Sequence, residues 1–245
     1  MLKEGRDMNH QIIQSILFDW NKVEQDSYLR GIAALQGLEK LDFYQPITFF
    51  VGENGSGKST LLEAIAVAHG FNPEGGTKNY VFSTYDTHSE LHDAIRIVKG
   101  ARKEKWGYFL RAESFYNVAT QEEYYADRLH PSRKYHERSH GEGFLMLIQE
   151  QFQADGLYFL DEPESALSPQ RQLTLLKEIH DYAKKGAQFI IVTHSPILLG
   201  IPNATIYSFG QNGIHACTYE ETDSFRVTEM FINNRQALFY RLFKE

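Results

Sequence analysis

Residues 47–60 read Ile47-Thr48-Phe49-Phe50-Val51-Gly52-Glu53-Asn54-Gly55-Ser56-Gly57-Lys58-Ser59-Thr60. From Gly52 onward this is G-x-x-x-x-G-K-[ST] with each fixed type in register, a pattern that binds a nucleoside triphosphate. The glycines let backbone N–H groups turn inward around phosphate oxygens, Lys58 reaches the β- and γ-phosphates, and Ser59 is placed to ligate Mg²⁺ at the start of a helix. Gly52, Glu53, Asn54, Gly55, Ser56, Gly57, Lys58, Ser59 and Thr60 are therefore the candidate nucleotide-binding residues. The motif needs a strand before it and a helix after it. Ile47–Val51 is β-branched and aromatic, as a buried parallel strand would be, and Ser59–His69 carries apolar residues at Leu61, Leu62, Ile65 and Ala68 before stopping at Gly70.

Outward from this loop, the chain of 245 residues is long enough for one large domain with a full core. We expect residues 1–245 to form one such domain, with 73–155 as a helical and loop insertion. Apolar residues make up 42% and charged residues 23%, an ordinary globular balance. A net charge of −7 gives no global attraction to nucleic acid or to anionic membranes. Cys217 is the only cysteine, which excludes an intrachain disulfide and a multi-thiolate zinc site and fits a reducing cytoplasm. Met1–Asn9 carries both charge signs, and no run approaches the roughly 18 to 20 apolar residues that span a bilayer. Direct membrane insertion is not expected.

Upstream of the loop, Ile12–Phe18, Tyr28–Leu35 and Leu38–Phe43 read as strands. Pro73 to about Arg138, with Gly75-Gly76 and mixed charge, reads as loops and helices. Beyond it come an amphipathic helix (Phe144, Leu145, Leu147, Ile148, Phe152), the strand Leu157–Leu160, and a helix capped by Ser168 with Pro169 at its first position and Lys184-Lys185-Gly186 at its end. Strand Phe189–Val192 follows, then a tight hairpin turn at Asn212-Gly213 and a closing helix over Phe225–Phe243. Strands alternating with helices indicate an α/β fold with a mainly parallel sheet.

Strand Leu157–Leu160 runs into Asp161-Glu162-Pro163, which sets two carboxylates at the carboxyl edge of the sheet, where open α/β sheets bind ligands. Asp161 would complete the Mg²⁺ shell that Ser59 begins, and Glu162 would orient or deprotonate an attacking water. Taken alone, the triplet is equally an acidic turn closed by proline. Thr193-His194-Ser195-Pro196 puts His194 at the same edge, where an imidazole donates to a γ-phosphate oxygen, although a lone histidine after a strand is usually a polar turn residue. Ser139-His140-Gly141-Glu142 is a capping box, and the same serine, free N–H groups and helix dipole make an anion site.

The order of these motifs resembles the ATP-binding cassette (ABC-type) P-loop ATPases from about residue 28 to residue 210. The wording Phe159-Leu160-Asp161-Glu162-Pro163-Glu164 with Thr193–Pro196 is similar to their soluble branch related to chromosome-maintenance and repair ATPases. The interval from Lys58 to Ser139 is too short for the long coiled-coil arms of those proteins, and heptads are absent. The resemblance implies an ABC-type core with an N-terminal antiparallel β part and an insertion bearing the signature. It makes Gly52–Thr60 the Walker A loop, Leu157–Glu162 Walker B, Ser165-Ala166-Leu167 the D-loop, and His194 the switch histidine. Catalytic roles fall to Glu162, His194 and Lys58, and metal ligation to Ser59 and Asp161.

By the same resemblance, Ser139 and Gly141 would contact ATP held by another subunit, in a homodimer or heterodimer formed in the ATP state. The signature reads RSHGE, with His140 at the first glycine. Ser168 replaces the usual D-loop aspartate. Where a glutamine is expected, Gly107–Glu113 has none, leaving Arg111 and Glu113 as substitutes. Tyr28 and Trp20 are the upstream aromatics that could face adenine.

His88 and His92 are four apart, but Ser89 stands where the HExxH motif has glutamate. Arg128, Arg133, Lys134, Arg138 and Tyr135 form a basic stretch that reads as a solvated face or, less favoured, a nucleic-acid contact. The resulting expectation is an Mg²⁺-dependent ATPase coupled to an unidentified protein partner, with repair or defence as its setting. The alternatives are the nucleotide-binding subunit of a transporter and a nucleotide-gated binding module with little hydrolysis.

Overall fold

Strand β3 (Ile47–Gly52) alternates its side chains between two cores, and this alternation sets the layering of the fold. A computed structural model describes residues 11–78, 89–111 and 140–243. Ile47, Phe49 and Val51 enter one apolar cluster and Phe50 enters the other. The elements in chain order are β1 (Ile13–Phe18), β2 (Lys40–Asp42), β3, α1 (Lys58–Ala68), α2 (Leu91–Ala94), β4 (Ile95–Lys99), β5 (Trp106–Arg111) and α3 (His140–Gln151). There follow β6 (Gly156–Asp161), α4 (Pro169–Lys184), β7 (Gln188–Val192), α5 (Pro196–Leu199), β8 (Thr205–Gly210), β9 (Gly213–Cys217) and α6 (Asp223–Leu242).

The main sheet has the order β5-β6-β7-β3-β8-β9, parallel except for the terminal β8–β9 hairpin. On one face Phe50, Phe159, Ile190 and Val192 meet Leu61, Leu62 and Ile65 of α1 and the small antiparallel sheet β2-β1-β4. On the other, Phe49, Tyr158, Leu160, Phe189 and Ile191 meet Phe144 and Ile148 of α3 and Leu175 and Ile179 of α4. Each such side chain contributes about 1.5–3 kcal/mol by leaving water. A polar tie joins the sheets: the carboxamide oxygen of buried Gln188 accepts from the Ile12 and Ile13 N–H groups at 3.0 and 2.8 Å, and its NH₂ donates to Ile13 C=O at 2.9 Å.

The mainly parallel α/β class and the antiparallel N-terminal part read from the sequence are present, and several elements differ from the reading. Tyr28–Leu35 is two short 3₁₀ turns, Tyr28–Gly31 and Ala33–Leu35, and not a strand. Local polar bonds decide this. Ser27 Oγ accepts from Leu29 N–H, while the Arg30 guanidinium donates to the carbonyls of Trp20, Val23 and Glu24 and rolls the segment up.

Residues 95–99 and 106–111, read as part of a helical and loop insertion, are strands. The first joins the small sheet beside β1 and the second forms the edge of the main sheet beside β6. The third strand of the reading, Leu38–Phe43, contracts to Lys40–Asp42. The hairpin turn lies one residue earlier than expected, at Gln211-Asn212, with Gly213 opening β9 at φ 96°. Ser139, His88, Glu113 and the basic stretch Arg128–Arg138 lie outside the described residues. Among the described residues, no helix is long and apolar enough to cross a membrane.

Candidate functional site

Three strands deliver the site. β3, β6 and β7 are neighbours that run in one direction, so Gly52, Asp161 and the residues after Val192 emerge at one carboxyl edge. The turn after β3 uses glycine where the backbone requires it. Gly57 takes φ 93° and ψ 9°, and a Cβ there would stand 2.7 Å from Ile32 Cγ2. Gly52 takes φ 141°, and its Cβ would stand 2.5 Å from the Phe209 carbonyl oxygen on β8. L side chains are strained at such positive φ.

Lys58 opens α1 and is only 4% exposed. Its ammonium donates to the Gly52 and Glu53 carbonyls at 2.8 and 2.7 Å, folding back over its own loop. Burial lowers its pKa, opposed by the Glu162 and Asp161 carboxylates. The next residue faces β6: Ser59 Oγ donates to Asp161 Oδ1 at 2.8 Å. Two oxygen donors from elements 102 positions apart in sequence are thus adjacent, a donor set suited to a hard divalent cation such as Mg²⁺.

Glu162 sits in the left-handed region, at φ 47° and ψ 53°. Its N–H donates to Val192 C=O at 3.0 Å, and its own carbonyl accepts from Ser165 N–H at 3.1 Å and Ser165 Oγ at 2.9 Å. The side chain is 44% exposed, with Oε1 3.7 Å from His194 Nε2. Pro163 then starts a 3₁₀ turn, Pro163–Ala166, in which Glu164 points back beneath the loop after β7. Glu164 Oε1 accepts from the His194 backbone N–H at 2.6 Å. Burial raises the Glu164 pKa, against the bonds from the His194 N–H and the Thr193 hydroxyl, which favour the charged form. Ser195 anchors the other side of His194: its Oγ donates to Gln172 Oε1 at 2.6 Å and accepts from the Ile197 and Leu198 N–H groups.

Lys58, Ser59, Asp161, Glu162 and His194, which the sequence reading selected, are thereby linked within one edge of the sheet. Gly141, at the start of α3, lies against the 163–166 turn; a Cβ on it would meet the Ala166 carbonyl oxygen at 2.8 Å. Nearby, Arg171 Nη2 donates to Glu142 Oε1 at 2.9 Å, so Glu142 is engaged across α4. Arg111 ends β5 in register with Asp161 and pairs with Glu63 Oε2 at 2.8 Å, one helical turn beyond Ser59 on α1.

The two upstream aromatics separate clearly. Trp20 donates from Nε1 to Leu38 C=O at 2.9 Å and stacks on Phe18, whereas Tyr28 is 65% exposed beside an open cavity of about 350 Å³. His92 Nδ1 lies 3.0 Å from Ser89 C=O. Glu164 is the site residue that sequence reasoning did not single out. Its signal was present in the run Asp161-Glu162-Pro163-Glu164, where proline starts a tight turn that can bring a third carboxylate back to the edge.

Among curated proteins, the hemin import ATP-binding protein of Pseudomonas aeruginosa is 49% identical over 35 residues, which is 14% of this chain and 14% of that protein. Among solved structures, the SMC head domain from Thermotoga maritima aligns with 84% of this chain and 98% of its own, at 13% identity and a TM-score of 0.46. An ATP-binding cassette of an ABC transporter aligns with 93% and 97%, at 14% identity and a TM-score of 0.44. The strand, loop and helix around Gly52–Thr60 and the mainly parallel sheet flanked by helices, both anticipated from the sequence, are present. Residues 28–185, from the Tyr28–Gly31 turn to the end of α4 and so including the glycine-rich loop and the Asp161-Glu162 edge, match the family described as "AAA domain", and the chain belongs to that family.

Proposed function

We propose that this chain is an Mg²⁺-dependent ATP hydrolase whose nucleotide state is coupled to a protein partner. The observation that carries the reading is the 2.8 Å contact between Ser59 of the phosphate loop and Asp161 of the neighbouring edge, with Lys58 buried beside them. Lys58 would exchange its two loop carbonyls for β- and γ-phosphate oxygens, and backbone N–H groups of the loop and of the first turn of α1 would hold the remainder. Ser59 and Asp161 are the residues that would hold Mg²⁺, which when bound neutralises phosphate charge. Glu162 accepts the proton of the attacking water, and His194 donates toward the γ-phosphate and keeps that water in line.

In this reading Ser139 and Gly141 complete the site of a second subunit in a head-to-tail dimer. The exposed ring of Tyr28 is the candidate adenine platform, since Trp20 is occupied in packing. The whole protein works in the cytoplasm, in a repair or defence setting.

The test is phosphate release by the purified chain with Mg²⁺, with and without double-stranded DNA, alongside solution mass for the Glu162→Gln variant. Steady release in the wild type and an ATP-dependent dimer in the variant support the reading, and DNA stimulation assigns its setting. Absence of release under all conditions rejects hydrolysis and leaves a nucleotide-gated binding module. The short match to a hemin import ATP-binding protein favours, as a second reading, the nucleotide-binding subunit of a transporter. Co-purification with a multispan membrane protein would support that reading, and recovery with water-soluble partners alone would refute it.

A further inference from the structure

The backbone N–H of His194 has no ladder partner, because β7 ends at Val192 and the chain turns away there toward α5. A buried N–H left without an acceptor costs about 1–3 kcal/mol, and it would leave the imidazole on a loop with nothing to fix its height above the sheet. The acceptor comes from Glu164, 30 positions away in sequence, at 2.6 Å. That carboxylate is itself part of the 3₁₀ turn that begins at Glu162 and is closed by the Ser165 N–H to Glu162 C=O and Leu167 N–H to Glu164 C=O bonds. The far end of this turn lies against the start of α3, where a Cβ on Gly141 would stand 2.8 Å from the Ala166 carbonyl oxygen.

One turn therefore connects three things: the carboxylate of Glu162, the loop that carries His194, and the first turn of α3 at Gly141. Resting on the hydrolytic reading above, we propose that Glu164 is a positioning residue: by accepting from the His194 N–H, it holds the imidazole at its 3.7 Å separation from Glu162 and links His194 to the turn whose Ala166 end lies against the start of α3.

The arrangement specifies which chemical property matters. The carbonyl-type oxygen at the end of a two-methylene arm receives the N–H, so Glu164→Gln retains an acceptor of the same reach. Glu164→Asp keeps the charge but falls one methylene short, and Glu164→Ala removes the acceptor. A carboxylate that merely supplied negative charge to the edge would show the opposite ranking of Gln and Asp. A residue with a purely structural role would lower the melting temperature without moving the imidazole.

The experiment has two readouts. The first is the Cε1–H NMR resonance of His194, assigned by its loss in His194→Asn and followed with and without ATP. It should stay at its wild-type position in Glu164→Gln and shift or broaden in Glu164→Asp and Glu164→Ala. The second is turnover. Glu164→Asp and Glu164→Ala should lose about 10- to 100-fold in kcat, the penalty of a displaced catalytic group. ATP affinity should stay within about threefold, because the interaction acts on the reaction and not on binding. Combining Glu164→Ala with His194→Asn should cost no more than His194→Asn alone.

An unmoved His194 resonance in folded Glu164→Asp, Gln behaving like Ala, or additive losses in the double variant would each overturn the proposal. If Glu164→Ala does not fold, Glu164→Asp decides. If the wild-type chain releases no phosphate, the hydrolytic reading falls by itself, and the resonance still determines whether Glu164 positions His194.

Discussion

Replacing Glu162 by glycine should stabilise the fold relative to replacing it by alanine, even though both variants lose the same side chain. The reason lies in the backbone. Glu162 is held at φ 47° and ψ 53° by its N–H bond to Val192 and by two bonds from Ser165 to its carbonyl, none of which needs a side chain at 162. A left-handed conformation costs an L-residue about 1–2 kcal/mol that glycine escapes. Glycine returns part of this, about 0.4–1 kcal/mol, through the greater freedom of its unfolded chain. The carboxylate contributes little to stability to begin with, being 44% exposed and 3.7 Å from His194 Nε2. The net difference is about 1 kcal/mol in favour of Glu162→Gly, or about 2–4 °C in melting temperature for a chain of this size. Urea and thermal unfolding of Glu162→Gly, Glu162→Asn and Glu162→Ala measure it, with asparagine expected between the other two. Phosphate release should be absent in all three, which would mark the strain as retained for function. Glu162→Gly melting at or below Glu162→Ala would refute the reasoning.

Three further outcomes follow from other parts of the molecule. Gln188→Leu leaves the Ile12 and Ile13 N–H groups and the Ile13 carbonyl buried and unpaired, and should cost about 3 kcal/mol or more in urea unfolding, with a loss below about 1 kcal/mol contradicting the tie between the sheets. His69, at the end of α1, has its pKa lowered to about 4, first by burial and then by Lys78, against the pull of Glu104; the unfolded chain therefore binds a proton between pH 6.5 and 4 that the folded chain refuses, stability falls as pH drops through that window, and His69→Gln should flatten the slope in pH-dependent melting. Lys58→Ala frees the Gly52 and Glu53 carbonyls while leaving both cores intact, so titration with ATP should show lost binding at nearly unchanged melting temperature; retained affinity would remove Lys58 from its assigned role.

What could be read from the sequence was whatever is local. The strand, loop and helix around Gly52–Thr60 are encoded within about two dozen residues by an apolar run, glycines and a 3.6-residue repeat, and they appear where they were expected. The α4 helix was equally legible from its Ser168 cap and Pro169 start. Strand β5 was not, because its place is set by distant partners. Gly107 has no side chain to signal a strand and makes room for Phe71 and the Leu157 carbonyl, while the ladder joins Arg111 to Asp161 across an interval that includes α3. Among the described residues strand β4 pairs with β1, 77 to 86 residues earlier in sequence, a separation that periodicity does not register. The 28–35 segment failed as a strand because Arg30 and Ser27 satisfy the backbone locally, and such bonds carry no hydrophobic period. Within the candidate site, residue types announced Lys58, Ser59, Asp161 and His194, whereas the left-handed backbone of Glu162 and the reach of Glu164 to His194 are properties of the folded edge alone.

The measurement that bears most directly on the central claim compares ATP affinity and phosphate release side by side in wild type and Glu162→Gln with Mg²⁺. The account predicts that Glu162→Gln binds ATP about as tightly as wild type, within roughly threefold, and releases phosphate at least about 100-fold more slowly, because only the proton acceptor has been removed. Equal release by the two proteins would contradict it and remove Glu162 from the reaction.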